Sequence, residues 1–278
     1  MALGLRRRED ARVVTDEVLD RVIVERAAPA PRRVDRLAVI AHWSVDERLT
    51  RSVVTYLDEL VRAGYYVVLV SAAESAKPLS FRHPVAGSVV VLRKPNVGYD
   101  FGSWAIGLHW ARRWLGAETV LLANDSLVGP FWPLGGILEQ VGASSADVVA
   151  LTDNTQFRKH LQSFFLAFRG GVLGDPPLRD FWTGIEHQAD KDRIIHDSEL
   201  GLSALLSREG YASDVLFPSW KVVADGLNPT IAGWSALLDQ GFPFVKREIV
   251  RRPELAPSGD QIGQIVRQRF GVTIEEWL

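Results

Sequence analysis

Short, unbroken apolar runs alternate with amphipathic stretches along most of this chain. Leu37-Ala38-Val39-Ile40-Ala41, Tyr66 to Ser71, Ser88 to Leu92, Thr119 to Ala123 and Asp147 to Leu151 hold their apolar residues consecutively. That is the pattern of strands buried on both faces. Between the first two, Asp46 to Gly64 places Val53, Val54, Leu57, Leu60 and Val61 on one helical face, and Gly64 stands where a left-handed cap ends a helix. Phe101 to Trp114 and Leu134 to Val141 read as further helices. Strands alternating with helices predict an α/β fold, a mostly parallel central sheet with helices on both faces. Beyond residue 160 the pattern loosens. A strand is expected at Phe164 to Phe168, and helices at Leu178 to Gln188, Ser198 to Glu209, Pro229 to Gln240 and Gly259 to Phe270.

The two ends read differently from this core. Glu9 to Glu25 is loosely helical, and Ala27-Ala28-Pro29-Ala30-Pro31 then interrupts it as a linker would. Residues 1–35 are therefore expected to be a helical appendage and linker, residues 36–255 the main domain and residues 256–278 a C-terminal helix.

Composition narrows the function classes. The 278 residues, 47% hydrophobic, suffice for one large domain. Lys and Arg total 32 against 34 Asp and Glu, a net charge of -2 that gives no electrostatic reason to expect a nucleic-acid partner. The absence of cysteine excludes disulfides, thiolate zinc sites and a cysteine nucleophile. Apolar runs such as Val67 to Ala73 are strand-sized, well short of the roughly 20 residues of a membrane helix. Arg6-Arg7-Arg8 has no apolar stretch behind it, so no secretion signal is read there. A cytoplasmic protein is expected, with peripheral contact at the inner face of the membrane left open.

In open α/β sheets ligands bind beyond the carboxyl ends of the strands, which directs attention to two segments. The third strand runs into Arg93-Lys94-Pro95-Asn96-Val97-Gly98-Tyr99-Asp100-Phe101-Gly102, the fourth into Asn124-Asp125-Ser126-Leu127-Val128-Gly129-Pro130. A carboxylate emerging from an apolar strand needs a cation or donors to meet it. Asp125 suits a hard divalent cation, Mg or Mn, with Asn124 and Ser126 adding oxygens, and such an ion could bridge a diphosphate. Gly98 and Gly102 allow a tight loop against a ligand. The rival reading of Asn-Asp-Ser is a turn and helix cap.

These blocks resemble the rhamnan synthesis protein F family. The likeness is carried by Asn96-Val97-Gly98-Tyr99-Asp100-Phe101-Gly102-Ser103-Trp104 and by Asn124 to Phe131. His160-Leu161-Gln162-Ser163-Phe164-Phe165, Glu199-Leu200-Gly201-Leu202-Ser203 with Gly210-Tyr211, Asn228-Pro229-Thr230 and Gly241 to Lys246 continue it in order. The likeness spans roughly Leu37 to Arg251. It implies transfer of rhamnose or a related sugar, dTDP-rhamnose being the favoured donor, to a glycan or lipid-linked acceptor of a bacterial surface polysaccharide. A more distant likeness is to inverting enzymes with the A-type glycosyltransferase (nucleotide-diphospho-sugar transferase) fold. That family ends a strand in Asp-x-Asp; here the triplet is Ala123-Asn124-Asp125, so one acid remains. Either Asp125 holds a metal with neutral helpers, or Arg93 and Lys94 take over the charge.

The resemblance also implies donor contacts at Asn96, Gly98, Tyr99, Asp100, Asn124, Asp125 and Ser126. It places His160, Gln162 and Ser163 toward the acceptor or sugar. The catalytic base belongs at the start of the helix leading to Gly210-Tyr211: counting back without gaps gives Glu199, and a shift of two gives Asp197. Asp153 is the next candidate. His160 alone also reads as a structural histidine and His196 as a surface one. Trp104, Trp110 and Trp114 recur at helical spacing and read as core, whereas Trp43 and Trp220 lie near loops where a ring could stack on a base or sugar. A catalytically silent binding module of the same fold is the competing function. No strand is followed by a G-x-G-x-x-G turn, which disfavours a dehydrogenase or methyltransferase.

Overall fold

The computed structural model describes residues 12–82, 85, 87, 89–187 and 195–278, without the side chains of 195–197. In chain order the strands are β1 (Ile23–Arg26), β2 (Arg36–His42), β3 (Tyr66–Ser71), β4 (Val89–Arg93), β5 (Thr119–Asn124), β6 (Leu127–Val128), β7 (Val148–Ala150), β8 (Asp153–Asn154), β9 (His160–Leu161), β10 (Phe165–Arg169), β11 (Ser213–Val215) and β12 (Val245–Lys246). The helices are α1 (Val14–Val18), α2 (Arg51–Arg62), α3 (Tyr99–Trp110), α4 (Gly135–Ala143), α5 (Pro176–Thr183), α6 (Gly201–Glu209), α7 (Pro229–Ala232), α8 (Trp234–Asp239), α9 (Arg247–Arg251) and α10 (Ile262–Phe270). A π-helical turn, Ile195–Leu200, leads into α6.

Eight strands form one sheet in the order β1-β4-β3-β2-β5-β10-β7-β11. The block β4-β3-β2-β5 is parallel, as is β11 with β7, while β1 runs against β4 and β10 runs against both β5 and β7. The expected α/β class with a mostly parallel sheet therefore holds. Alternation along the strands explains why no polar residue interrupts them. In β2, Ala38 and Ile40 join one apolar cluster with Val53, Leu57 and Leu60 of α2, while Leu37, Val39 and Ala41 join another with Trp104 and Ile106 of α3. Both faces are covered, so both sets of side chains are apolar.

The ends of the chain depart from the sequence reading. Val14 and Val18 of α1 are fully buried in the α3-side cluster, and β1 pairs with β4 through Ile23↔Arg93 and Val24↔Leu92. Described residues before 36 thus complete the sheet rather than hang from it. The segment was misread because its apolar residues are sparse and a proline-rich stretch follows them. At the other end, Ile262, Val266, Ile274 and Trp277 pack with Val128, Phe131, Trp234, Val245 and Ile249 in a third cluster, so residues 256–278 close the body around the β6–β12 pair. Helix α2 begins later than expected because the side chain of Thr50 caps it, accepting from Val53 N at 3.4 Å, which frees residues 43–49 as a loop. Among the described residues no helix is long and apolar enough to cross a membrane.

Candidate active site at the strand ends

The two glycine- and asparagine-bearing segments meet at the carboxyl ends of β4 and β5. Asp100, in the first turn of α3, accepts a 2.8 Å hydrogen bond on Oδ2 from Asn124 Nδ2. The same asparagine turns Oδ1 toward Ser126, accepting from its amide at 3.1 Å and its hydroxyl at 2.6 Å. Asn124 therefore acts as a rivet between the α3 turn and the β5 turn, both ends of its amide being used. Burial pushes the Asp100 carboxyl up to about 7; the charges of Asp125 and Glu199 add to this, and the Asn124 bond and Lys94 oppose it. Three carboxylates thus lie within electrostatic reach of one another. Glu199 sits in the π-helical turn, and its Oε1 accepts from Ser163 N at 3.2 Å and from Ser163 Oγ.

Beside Asp125 opens a cleft of about 480 Å³, lined by His42, Trp43, Asp46, Asp125, Arg247 and Arg251 among others. Its volume falls in the range of small-molecule sites. Trp43 follows directly on β2 and is 40% exposed. His42 is buried, bonds Ser71 Oγ through Nδ1 at 2.9 Å, and brings Nε2 to 4.0 Å from Asp125 Oδ2. Burial lowers its pKa, and the charge of Asp125 acts the other way. Arg247 opens α9, where its Nε donates to the main-chain carbonyl of Asp125 at 2.9 Å and its amide to Ser126 O at 2.8 Å. The β6–β12 pairing brings it there, since Lys246 stands opposite Leu127.

The remaining predicted residues divide clearly. The glycines serve packing: a Cβ at Gly98 would lie 2.7 Å from Val14 Cγ2, and one at Gly102 would lie 2.5 Å from Val97 O and 3.2 Å from Val14 Cγ1. The space expected for a ligand is filled by α1, whose place the sequence reading missed. Asn96 is exposed, and Tyr99 is 45% exposed with φ of 49°. Arg93 and Lys94 are committed elsewhere. Arg93 pairs with Glu25 of β1 at 2.8 Å and donates to the carbonyls of Ala73, Ser75 and Lys77. Lys94, its pKa lowered to about 8 by burial, donates to Pro95 O and Val97 O. They are not available to take over a phosphate charge.

Asp153 accepts from Ser219 N at 2.7 Å and stands 4.0 Å from Lys159, so it ties two loops together. His160 is buried with Nδ1 on Arg158 O, and it lines a separate groove with Asp153, Lys159 and Tyr211. Gln162 accepts from Thr152 Oγ1 at 2.6 Å and donates to Asn228 Oδ1 at 3.3 Å, clamping the closing segment. Of the acceptor-side trio, Ser163 alone bonds Glu199. The side chains of Asp197 and His196 lie outside the described residues. Trp104 and Trp114 are buried and Trp110 half-buried, as expected for core, and Trp220 is 73% exposed.

A divalent cation fits this arrangement poorly. Both ends of the Asn124 amide are spent, the guanidinium of Arg247 lies on the Asp125 side, and no group of three His, Asp or Glu residues that could hold a metal occurs among the described residues. Arg247 and Arg251 were absent from the sequence reading. The basic run Lys246-Arg247 with Arg251-Arg252 was the available signal, but nothing in it reveals the strand pairing that carries it to Asp125.

Among proteins of known sequence, Virulence protein VirA of Vibrio anguillarum is 29% identical over 194 residues, a match covering 58% of this chain and 62% of that protein. The Uncharacterized protein y4gN of Sinorhizobium fredii is 28% identical over 174 residues, covering 61% of this chain and 45% of that protein. The matches therefore span less than two thirds of either relative's length. A family model described as Rhamnan synthesis protein F matches residues 82–271, a span running from just before β4 to just past α10 and including Asp100, Asn124, Asp125, Glu199 and Arg247. With well over half of its length matched in this way, the chain belongs to the rhamnan synthesis protein F family.

Proposed function

We propose that the chain is a glycosyltransferase of bacterial surface-polysaccharide synthesis, moving a sugar, rhamnose in the favoured case, from a nucleoside diphosphate to a glycan or lipid-linked acceptor. The observation that carries this reading is the Asp100–Asn124 bond, which sets a carboxylate cluster beside a cleft with an aromatic wall. In this scheme Trp43 offers its face to the base and Asp100 faces the donor sugar. The acceptor hydroxyl attacks the anomeric carbon and gives its proton to Glu199. The bond from that carbon to the diphosphate oxygen breaks with its electron pair on the oxygen, so the nucleoside diphosphate leaves and the configuration inverts. Ser163 supports the role, since two donors on one oxygen orient the carboxylate and leave Oε2 for the incoming proton.

The test is release of nucleoside diphosphate from a panel of nucleotide sugars, dTDP-rhamnose included, with an oligosaccharide acceptor. Glu199→Gln should lower turnover by about 10²–10⁴ with donor affinity nearly unchanged. A Glu199→Gln variant as active as the parent removes Glu199 as base. Binding of the donor without turnover under any condition favours the silent module, a reading that the lone acid of the Ala123-Asn124-Asp125 triplet keeps in play.

A further inference from the structure

One guanidinium in the cleft is enclosed with a donor left unused, and a second, exposed one stands a helical turn beyond it. Arg247 and Arg251 are four apart on α9, hence on the same face of the helix. Both line the cleft beside Asp125. Arg247 spends Nε on the Asp125 carbonyl, but its Nη2 is enclosed with no hydrogen-bond partner among the described residues. Arg251, which is exposed, makes no hydrogen bond or ion pair among the described residues, although the other cleft arginines do: Arg48 is held by Asp46 and Arg82 reaches Glu276 O. A buried donor left without a partner is costly, the more so on a charged group. Two cations one turn apart also repel, and burial together with Arg251 disfavours the charged form of Arg247 while Asp125 favours it. An anion in the cleft would relieve all three costs together. A planar fork presented toward a cleft is suited to phosphate oxygens.

We propose that Arg247 and Arg251 hold the diphosphate of the nucleotide donor, so that nucleotide binding requires no divalent cation. This rests on the donor reading above and gives the poor fit for a metal at Asp125 a positive cause. In the transfer step the pair would neutralise the charge arriving on the departing diphosphate oxygen, the task a metal performs elsewhere.

Calorimetric titrations of the purified protein with dTDP, UDP, GDP and inorganic pyrophosphate, in EDTA and then in excess magnesium, test it. Expected are equal affinities in both buffers and a loss of about ten- to a hundredfold for pyrophosphate and the preferred nucleotide in Arg247→Gln and in Arg251→Gln, the scale of one charge-assisted hydrogen bond. Arg251 is exposed, so Arg251→Gln should keep its melting temperature and decides the matter even if Arg247→Gln unfolds. Binding lost in EDTA and restored by magnesium overturns the proposal, and so does unchanged affinity in Arg251→Gln. If pyrophosphate binds in an arginine-dependent way while all three nucleotides bind no better, the anion site stands and the nucleotide-donor reading falls.

Discussion

Asp100 shows how one side chain reports on its surroundings. An unfolded aspartate ionises near pH 4, whereas in the fold Asp100 keeps its proton up to about 7. Between those values the folded state holds a proton that the unfolded state has released, so this group's contribution to stability falls as pH rises from about 4 to about 7 and then levels off. Asp100→Asn cannot ionise and can still accept from Asn124 on its amide oxygen. Relative to the parent, its melting temperature should therefore be higher at pH 8 than at pH 4; a difference that does not vary with pH would place the carboxylate in solvent. Asp125 poses a different question, because its side chain makes no hydrogen bond among the described residues and lies beside the half-buried Arg247. Asp125→Asn should cost modest stability through the counter-charge taken from Arg247, measurable in thermal melts, without making nucleotide binding depend on magnesium. Sequence alone exposed Asp125 because it ends an apolar run, and Asp100 through the glycine loop that carries the family likeness. It could not expose Arg247, whose nearness to Asp125 depends on a pairing between strands separated by more than a hundred positions.

At the level of elements, the site is assembled where helix starts meet strand ends. The turn into α3 uses Gly98 at φ of 76°, and Val14 of α1 fills the space beside it. Gly98→Ala would meet both an unfavourable left-handed backbone and a contact of 2.7 Å. A loss of about 1–3 kcal/mol is expected, measurable as a shifted denaturant midpoint. Val14→Ala in the same chain should return part of it by making room. Loss of nucleotide binding at unchanged stability would instead make Gly98 a ligand-facing residue. The strands and most helices were legible because burial on both faces leaves consecutive apolar residues. The helix expected over Pro229 to Gln240 divides at Gly233, where a Cβ would lie 2.7 Å from Val223 Cγ1, a crowding that periodicity does not register. The helix expected over Glu9 to Glu25 is confined, among the described residues, to the five residues of α1 and a 3₁₀ turn, and gives way at Ile23 to β1, whose four residues are too few to announce a strand.

On the scale of the whole molecule, the termini hold the sheet and the site together. Glu25 of β1 pairs with Arg93 and also accepts from the amide of Leu79, so the first strand braces the loop that reaches the cleft at Arg82. Arg51, at the start of α2, pairs with Glu276 at 2.9 Å, and its guanidinium lies 4.7 Å from the Trp277 ring centre. A chain cut after residue 255 would bare Val128, Phe131 and Ile249 beneath the lost α10 and Trp277. Each such side chain contributes roughly 1.5–3 kcal/mol when buried, so the shortened chain should melt far lower and bind no nucleotide, by thermal shift.

The place of β1 at the end of the sheet has a practical consequence. Val89 to Leu92 of β4 are fully buried and apolar, and β1 covers the outer edge of that strand at Val91, Leu92 and Arg93. An expression fragment begun at residue 36, the boundary that composition suggests, would present β4 as a bare, hydrophobic template for strands of other molecules. Such a fragment should collect in inclusion bodies or elute as polymer in gel filtration, while one begun before Val14 stays monodisperse. A failure to obtain active protein from the shorter fragment would then reflect self-association through β4, and would say nothing about the chemistry of the cleft.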